Sequence, residues 1–299
     1  MRVDPGYISN MVTALNDAQV REQQLSNQLA SGVRVNSLSD DPVSAGRNVL
    51  LLSQIQRDDA FTQSSSLVTG QLQVVDSALG SVVSQLNQAI ALATSANNGT
   101  KNASDLKAIG NQLAGILGEV ESLANSNFQG RYIFAGASTN AQPFTTDTST
   151  SPAVTSYGGD QDVVYLETPN GQKIQMNVPG DQIFLGAKNV FAVLNGLVAD
   201  FSSGMVDQTQ ASQHAADLTA ALNYVSQQRV LVDNSITQLT VASGAVSTEK
   251  TQLSAAQTEL MQADLATVAT QLSLAKTQQT ALESVIVQLG SGSLFDKLR

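Results

Sequence analysis

The fold is decided by the stretch Met261, Leu265, Val268, Leu272, Ala275, Gln279, Leu282, Ile286 and Leu289, whose spacing alternates between four and three residues with Gln279 the one polar member. Such steps put all of these side chains on a single stripe of an α-helix. A strict seven-residue repeat held over this length is the pattern of a coiled-coil seam. Neither Gly nor Pro occurs between Ala245 and Leu289. The expectation is therefore one unbroken helix, about 65 Å long at roughly 1.5 Å per residue. The opposite end of the chain carries a matching stripe: Ile8, Met11, Leu15, Ala18, Glu22, Leu25 and Leu29, again stepping by three and four with Glu22 polar. The two seams can pair with each other or with neighbouring copies. An ordinary helical bundle closed by its termini would show the same spacing.

Composition narrows the function classes. With 299 residues the chain has room for a sizeable core and more than one domain. Aromatic residues make up 4% and Trp is absent, which disfavours large aromatic-lined pockets. A formal charge of −10 argues against a nucleic-acid partner, since nucleic acid draws basic faces. There is no cysteine, hence no disulfide framework and no thiolate chemistry. Met1-Arg2-Val3-Asp4-Pro5 is polar and lacks the apolar centre of a secretory leader. The longest aliphatic run, Val49–Leu52, is far short of the roughly 20 residues that span a bilayer, so no membrane insertion is expected.

Between the two ends the pattern is mostly helical. The first helix should stop at Ser31-Gly32. Asp41 before Pro42 reads as a helix cap followed by a first-turn proline. The pair Asp40-Asp41 has no histidine nearby and no third carboxylate at ligand spacing, so capping outweighs a metal site. A long helix is expected from Val43 to about Asn97, a turn at Asn97-Asn98-Gly99, and a third helix from about Ser104 to Asn125. Thr145 to Ser156, rich in Thr and Ser, reads as a surface loop or linker. Alternating runs on either side of Pro169-Asn170-Gly171 signal a β-hairpin. Helices resume near Asn189, and Leu218, Leu222, Val225, Arg229, Val232, Ile236 and Leu239 form another stripe, with a bend expected at Gly244. The predicted fold is mainly α: a long coiled-coil-like helical rod formed by both chain ends, with a small β-rich insert. Its divisions are an N-terminal axial helix (1–36), the rod's first half (37–144), the insert (145–187), the rod's second half (188–250) and a C-terminal axial helix (251–299).

Several stretches then coincide with one family. Leu29-Ala30-Ser31-Gly32-Val33-Arg34-Val35-Asn36 followed by Asp40-Asp41-Pro42 resembles the N-terminal signature of bacterial flagellins and flagellin-like junction proteins. Pro42-Val43-Ser44-Ala45, Asn127-Phe128-Gln129-Gly130-Arg131-Tyr132-Ile133-Phe134-Ala135-Gly136, Tyr157-Gly158-Gly159-Asp160 and Ser293-Leu294-Phe295-Asp296-Lys297-Leu298 resemble the junction members. Val230-Leu231-Val232-Asp233-Asn234 departs from the small Gly-Ala pair common in the family. The resemblance implies a structural subunit of the extracellular bacterial flagellum at the hook–filament junction, exported by the flagellar type III apparatus without a cleaved signal peptide. It also implies partners: hook-associated protein 1, flagellin, copies of the same chain, and a cytoplasmic export chaperone on the C-terminal helix. No cofactor is implied.

The assembly seam expected on this reading comprises Ile8, Met11, Leu15, Leu25, Leu29, Met261, Leu265, Val268, Leu272, Leu282, Ile286 and Leu289, with Asp41 and Pro42 as a helix cap. The alternative in the same class is the main filament flagellin. An enzyme or a ligand-binding module is the reading from another class, and it has little support. His214, the single histidine, lies in a polar run and is expected to be a solvated helix residue. No Gly-x-Ser-x-Gly elbow is present, and Gly110-Asn111-Gln112-Leu113-Ala114-Gly115 lacks the strand and lysine of a phosphate loop.

Overall fold

The computed structural model describes residues 5–96, 101–138, 140–186, 188–204 and 207–295, with side chains described over 9–288 of these. The order is α1 (Pro5–Ser31), α2 (Pro42–Ala96), α3 (Ala103–Ala124), β1 (Asn127–Phe128), β2 (Arg131–Tyr132), β3 (Phe144–Asp147), β4 (Val154–Tyr157), β5 (Tyr165–Glu167), β6 (Lys173–Gln175), α4 (Gly180–Phe184), α5 (Val190–Ser202), α6 (Gln208–Met261) and α7 (Leu265–Phe295). The chain divides into two compact units, one of residues 1–56 with 249–299 and the other Arg57–Thr248. Among the described residues no helix is long and apolar enough to cross a membrane.

The central unit, Arg57–Thr248, is built on one continuous core. Leu72, Val75, Leu79, Val82 and Leu86 of α2 are completely buried, as are Leu113 and Val120 of α3 and Leu218 and Val225 of α6. The stripe on α6 has a polar member, Arg229, which forks onto both carboxylate oxygens of Asp76 on α2. A bidentate pair of this kind fixes the relative register of the two helices as well as attracting them. α3 starts at a reciprocal cap: the Asn102 side chain accepts the Asp105 N–H at 2.9 Å while Asp105 accepts the Asn102 N–H at 3.3 Å. The turn expected at Asn97-Asn98-Gly99 lies outside the described residues.

Among the described residues the strands form three separate antiparallel hairpins. β1 and β2 are joined by Gln129 and Gly130, both at positive φ (52° and 79°). That is the two-residue loop whose twist matches the twist of paired strands, and glycine takes the second position without strain. β5 pairs with β6 through Leu166 and Ile174, around Asn170-Gly171 as the alternation predicts.

The stretch expected as a loop, Thr145 to Ser156, is instead the third hairpin, β3 with β4. Its threonines and serines pair across the strands: the Thr145 and Ser156 hydroxyls lie 3.1 Å apart, those of Thr146 and Thr155 2.8 Å. Thr is a strand former, and such cross-strand hydroxyl pairs stabilise a ladder. Asn125 at the end of α3 anchors the hairpin by accepting the Phe144 N–H and donating to the Phe144 carbonyl, each at 2.9 Å.

The small strand-containing insert shares its core with the helices. Ile174, Val178, Ile183 and Phe184 belong to the same buried cluster as the helices. Phe144, Phe184 and Phe191 of α5 form a mutual ring contact with centroids 5.1–5.6 Å apart, and Phe134 meets Phe184 edge-on at 5.4 Å. The short helix α4, absent from the sequence reading, carries Phe184 into this cluster. Phe144→Ala is expected to destabilise the chain by about 3–5 kcal/mol, the range for deleting a fully buried phenylalanine. Chemical denaturation followed through helix signal checks it, and a loss below about 1 kcal/mol would mean that the strands are not part of the helical core.

Candidate assembly surface and its clasp

The other unit is made of α1, the start of α2, the end of α6, and α7. The expected single helix from Ala245 to Leu289 is in fact two. α6 continues through Gly244, where a bend was expected, and stops at Met261; α7 starts at Leu265. The intervening Gln262-Ala263-Asp264 contains no helix breaker, so the interruption has another cause. Val33 forms an antiparallel bridge with Gln262. On its two sides the Arg34 N–H donates to the Met261 carbonyl at 2.7 Å and the Ala263 N–H donates to the Gly32 carbonyl at 2.9 Å. Partners brought in from the N-terminal segment thus replace the bonds that a continued helix would make.

At this level the end of α6 and the starts of α2 and α7 are each met by a side chain. The last carbonyls of a helix have no intrahelical donor, and the Leu260 carbonyl accepts Arg34 Nη2 at 3.1 Å. Asp264 caps α7: Oδ1 accepts the Ala266 and Thr267 N–H groups, and Oδ2 the Thr267 hydroxyl at 2.7 Å. The Thr267 hydroxyl and the two N–H groups hold the Asp264 carboxyl below its usual range. Gly32, at φ +68°, provides the left-handed residue that ends α1.

Asp41 caps α2, with Oδ1 accepting the Ser44 N–H at 3.0 Å and Pro42 as the first helical residue. Its Oδ2 accepts the Ser44 hydroxyl at 2.6 Å and Arg34 Nη1 at 3.1 Å. The second guanidinium nitrogen, Nη2, also donates to Ser44 Oγ at 3.2 Å. Asp40 turns the intervening loop, accepting the N–H groups of Asn36 and Ser37.

α1 and α7 run antiparallel and pack directly on each other. Their shared core is thin: Leu25, Ala263, Val268 and Ala275 are buried, with Leu272 half-buried against them. Met11, Leu15, Leu282 and Ile286 are half-buried along the same pair. The polar members of the stripes have partners, Glu22 with Lys276 across the pair at 4.0 Å and Gln279 with Glu283 on its own helix at 3.0 Å.

Met261, half-buried, ends α6 rather than continuing the α7 stripe. Leu29 and Leu265 are exposed, at 38% and 49%. They sit where α1 ends and α7 begins, and Ala263 holds the covered position there instead. The side chains of Ile8 and Leu289 lie outside the described residues.

Other apolar side chains, off the stripes, face outward: Val20 on α1 and Leu274 and Val287 on α7 are 59–68% exposed. The sequence signal for them was an aliphatic residue off the seam in helices otherwise rich in Gln, Ser and Thr. An open groove of about 960 Å³ runs along the pair, its apolar lining including Ala18, Leu25, Leu282 and Val285. His214, expected to be solvated, is in the central unit and is partnered: its Nε2 lies 3.3 Å from Asp200 of α5.

The comparisons with known proteins agree with this geometry. Residues 7–139 match the model of the bacterial flagellin N-terminal helical region. Over that stretch, under half of its length, the chain is similar to bacterial flagellins. It is 29% identical over 179 residues to a flagellar hook-associated protein 3 of Salmonella typhimurium, a match that covers 60% of this chain and 54% of that relative. The match therefore spans about half the length of that relative. A flagellin of Listeria innocua is 25% identical over 247 residues, 81% of this chain and 79% of that one. In fold, the chain is similar to a flagellar hook-associated protein-3 structure from Legionella pneumophila, with a TM-score of 0.64 at 13% identity, covering 71% of this chain and 98% of the other.

The cap on α2 predicts a pH dependence with a definite sign. The Ser44 hydroxyl, then the Ser44 N–H and the Arg34 guanidinium, hold the Asp41 carboxyl at about 2, against about 3.9 for an unfolded aspartate. A depressed folded value means that the ionised cap stabilises fully above about pH 4 and that this contribution is lost as pH falls toward about 2. Thermal melts of the native chain and of Asp41→Asn should therefore converge between pH 4 and pH 2 and differ most near neutrality. Curves that stay parallel throughout would show that the cap does not titrate in this window.

Proposed function

We propose that this chain is a structural subunit of the bacterial flagellum at the hook–filament junction, positioned between hook-associated protein 1 and flagellin and packed against copies of itself. The observation that carries the reading is the antiparallel pairing of the two terminal helices, with apolar side chains left on the outside of the pair. Similarity to hook-associated proteins 3 supports a junction subunit over the main filament flagellin. On this reading the seam residues Met11, Leu15, Leu25, Val268, Leu272, Leu282 and Ile286 keep α1 and α7 together as one assembling element, and Ile8, Leu29, Met261, Leu265 and Leu289 are proposed as further members of the assembly seam. Val20, Leu274 and Val287 meet neighbouring subunits. The role is structural rather than catalytic. The chain reaches the cell exterior by the flagellar export apparatus, with a cytoplasmic chaperone on α7 beforehand.

Immuno-labelling of intact flagella tests the location: a band at the hook–filament boundary is expected, and label along the whole filament would favour the flagellin alternative. The outward face is tested by Leu274→Glu. An exposed substitution of this kind should change monomer stability by no more than about 0.5 kcal/mol. Burying the new carboxylate against a neighbour without a partner is costly, so filaments should fail to attach. Secreted protein is measured in parallel, because lost export would mimic lost assembly. Normal export together with full-length attached filaments in Leu274→Glu cells would remove α7 from the assembly surface.

A further inference from the structure

We propose that the cavity between the β3–β4 hairpin and α5 binds a small neutral polyhydroxylated ligand, of the size of one sugar ring, through the Asn195 carboxamide, wherever in the flagellum the chain stands. Asn195 lies in the interior of α5 and is only 3% exposed. A polar group buried to this degree is costly unless its hydrogen bonds are made, so each end of the carboxamide calls for a partner. The nitrogen has one: Nδ2 donates to Thr155 Oγ1 of β4 at 3.4 Å. Among the described residues nothing donates to Oδ1.

The direction of the carboxamide is fixed from the far side of the hairpin. A carboxylate only accepts hydrogen bonds, and a hydroxyl has one proton to give. Thr146 gives its proton to Glu121 Oε2 of α3 at 2.9 Å. The Thr155 hydroxyl, 2.8 Å from that of Thr146, must therefore be the donor of that pair. Thr155 has only lone pairs left for Asn195, which meets it with Nδ2 and not with Oδ1. The three bonds thus run one way, from Asn195 to Glu121, and leave Oδ1 as an acceptor.

Asn195 lines a cavity of about 420 Å³, walled on the hairpin side by Ser151, Pro152 and Ala153. Val198, Ala199 and Ser202, three, four and seven residues on, line it from the same face of α5. The volume falls in the roughly 300–1,000 Å³ range of small-molecule sites. No ionisable side chain is among the described lining residues, so a charged ligand would find no counter-charge. A ligand hydroxyl gives the proton that Oδ1 needs and matches the hydroxyls of Ser151 and Ser202, while Val198 and Ala199 cover carbon. A ring that carries several hydroxyls on a carbon frame has both characters.

Titration of the full-length chain with glucose, galactose and mannose, followed by NMR through the Asn195 side-chain amide and the Val198 methyls, tests the site. At least one of the three is expected to shift these signals saturably, and sodium acetate, small and charged, to leave them in place. Asn195→Leu removes the acceptor, and Ala199→Phe fills the cavity while keeping the carboxamide. Each should weaken binding about tenfold or more, read from the Val198 methyls in whichever variant keeps the native helix signal. Glu121→Gln can donate as well as accept, so the chain of bonds can run either way and the competent orientation is about halved. Binding should then weaken about twofold. Signals that no sugar moves, the outcome for a cavity that holds water only, overturn the proposal. So do shifts that never saturate, acetate acting as the sugars do, binding undiminished in a folded Asn195→Leu or Ala199→Phe chain, and a Glu121→Gln chain that binds as the native one does.

Discussion

Everything in the unit that holds both chain ends depends on how a helix is allowed to stop. Besides the end of α1, which Gly32 closes, three helix ends meet at the level of Arg34, and each carries backbone groups that have lost their intrahelical partners. Arg34 addresses two of them directly: its guanidinium reaches the last turn of α6 and the capping aspartate of α2. Its backbone N–H takes a further carbonyl of α6. The third end, the start of α7, is capped locally by Asp264. Lysine at position 34 would offer one ammonium where five guanidinium N–H donors are available in a fixed fork. The geometry therefore calls for arginine specifically.

The two units solve the packing problem differently. The central one buries large side chains from its helices and hairpins in a single cluster that includes five phenylalanines. The terminal one buries mainly alanine and a few aliphatic residues between two helices. A two-helix pair covers only one side of each helix, and the remaining apolar side chains face solvent. Exposed apolar groups grouped on one element mark contact with something else. Thin internal packing and unused outward surface are what an element needs if it is to be completed by its neighbours.

Much of this was legible in the sequence, because amphipathic periodicity is local and strong. The stripes of α1, α7 and the first part of α6, the stop at Gly32 and the cap at Asp41 all follow from residue type and spacing. The break at Gln262–Asp264 was not, because no glycine or proline marks it and its cause lies more than 200 residues away in Gly32 and Arg34. Its one local trace is the Asp264-x-x-Thr267 cap. The β3–β4 hairpin was missed because threonine serves equally in loops and in strands, and only the cross-strand partner decides which. The core that the insert shares with the helices was hidden for a similar reason: Phe144 lies far in sequence from Phe184 and Phe191 and meets them only in the fold. Which apolar residues of α7 face outward depends on where α1 lies, and periodicity alone does not fix that.

The central claim is that the two chain ends meet within one molecule at the level of Val33 and Gln262. Bridge partners in an antiparallel pair have Cα atoms roughly 4.5–5.5 Å apart, inside the range that a disulfide can span. With no native cysteine to compete, the double variant Val33→Cys, Gln262→Cys tests the claim directly under mild oxidation of the dilute monomer. Rapid formation of an intrachain disulfide, seen as a mobility shift that reduction reverses, is the result this structure predicts. Thiols that stay free, or that link only one chain to another, would contradict it.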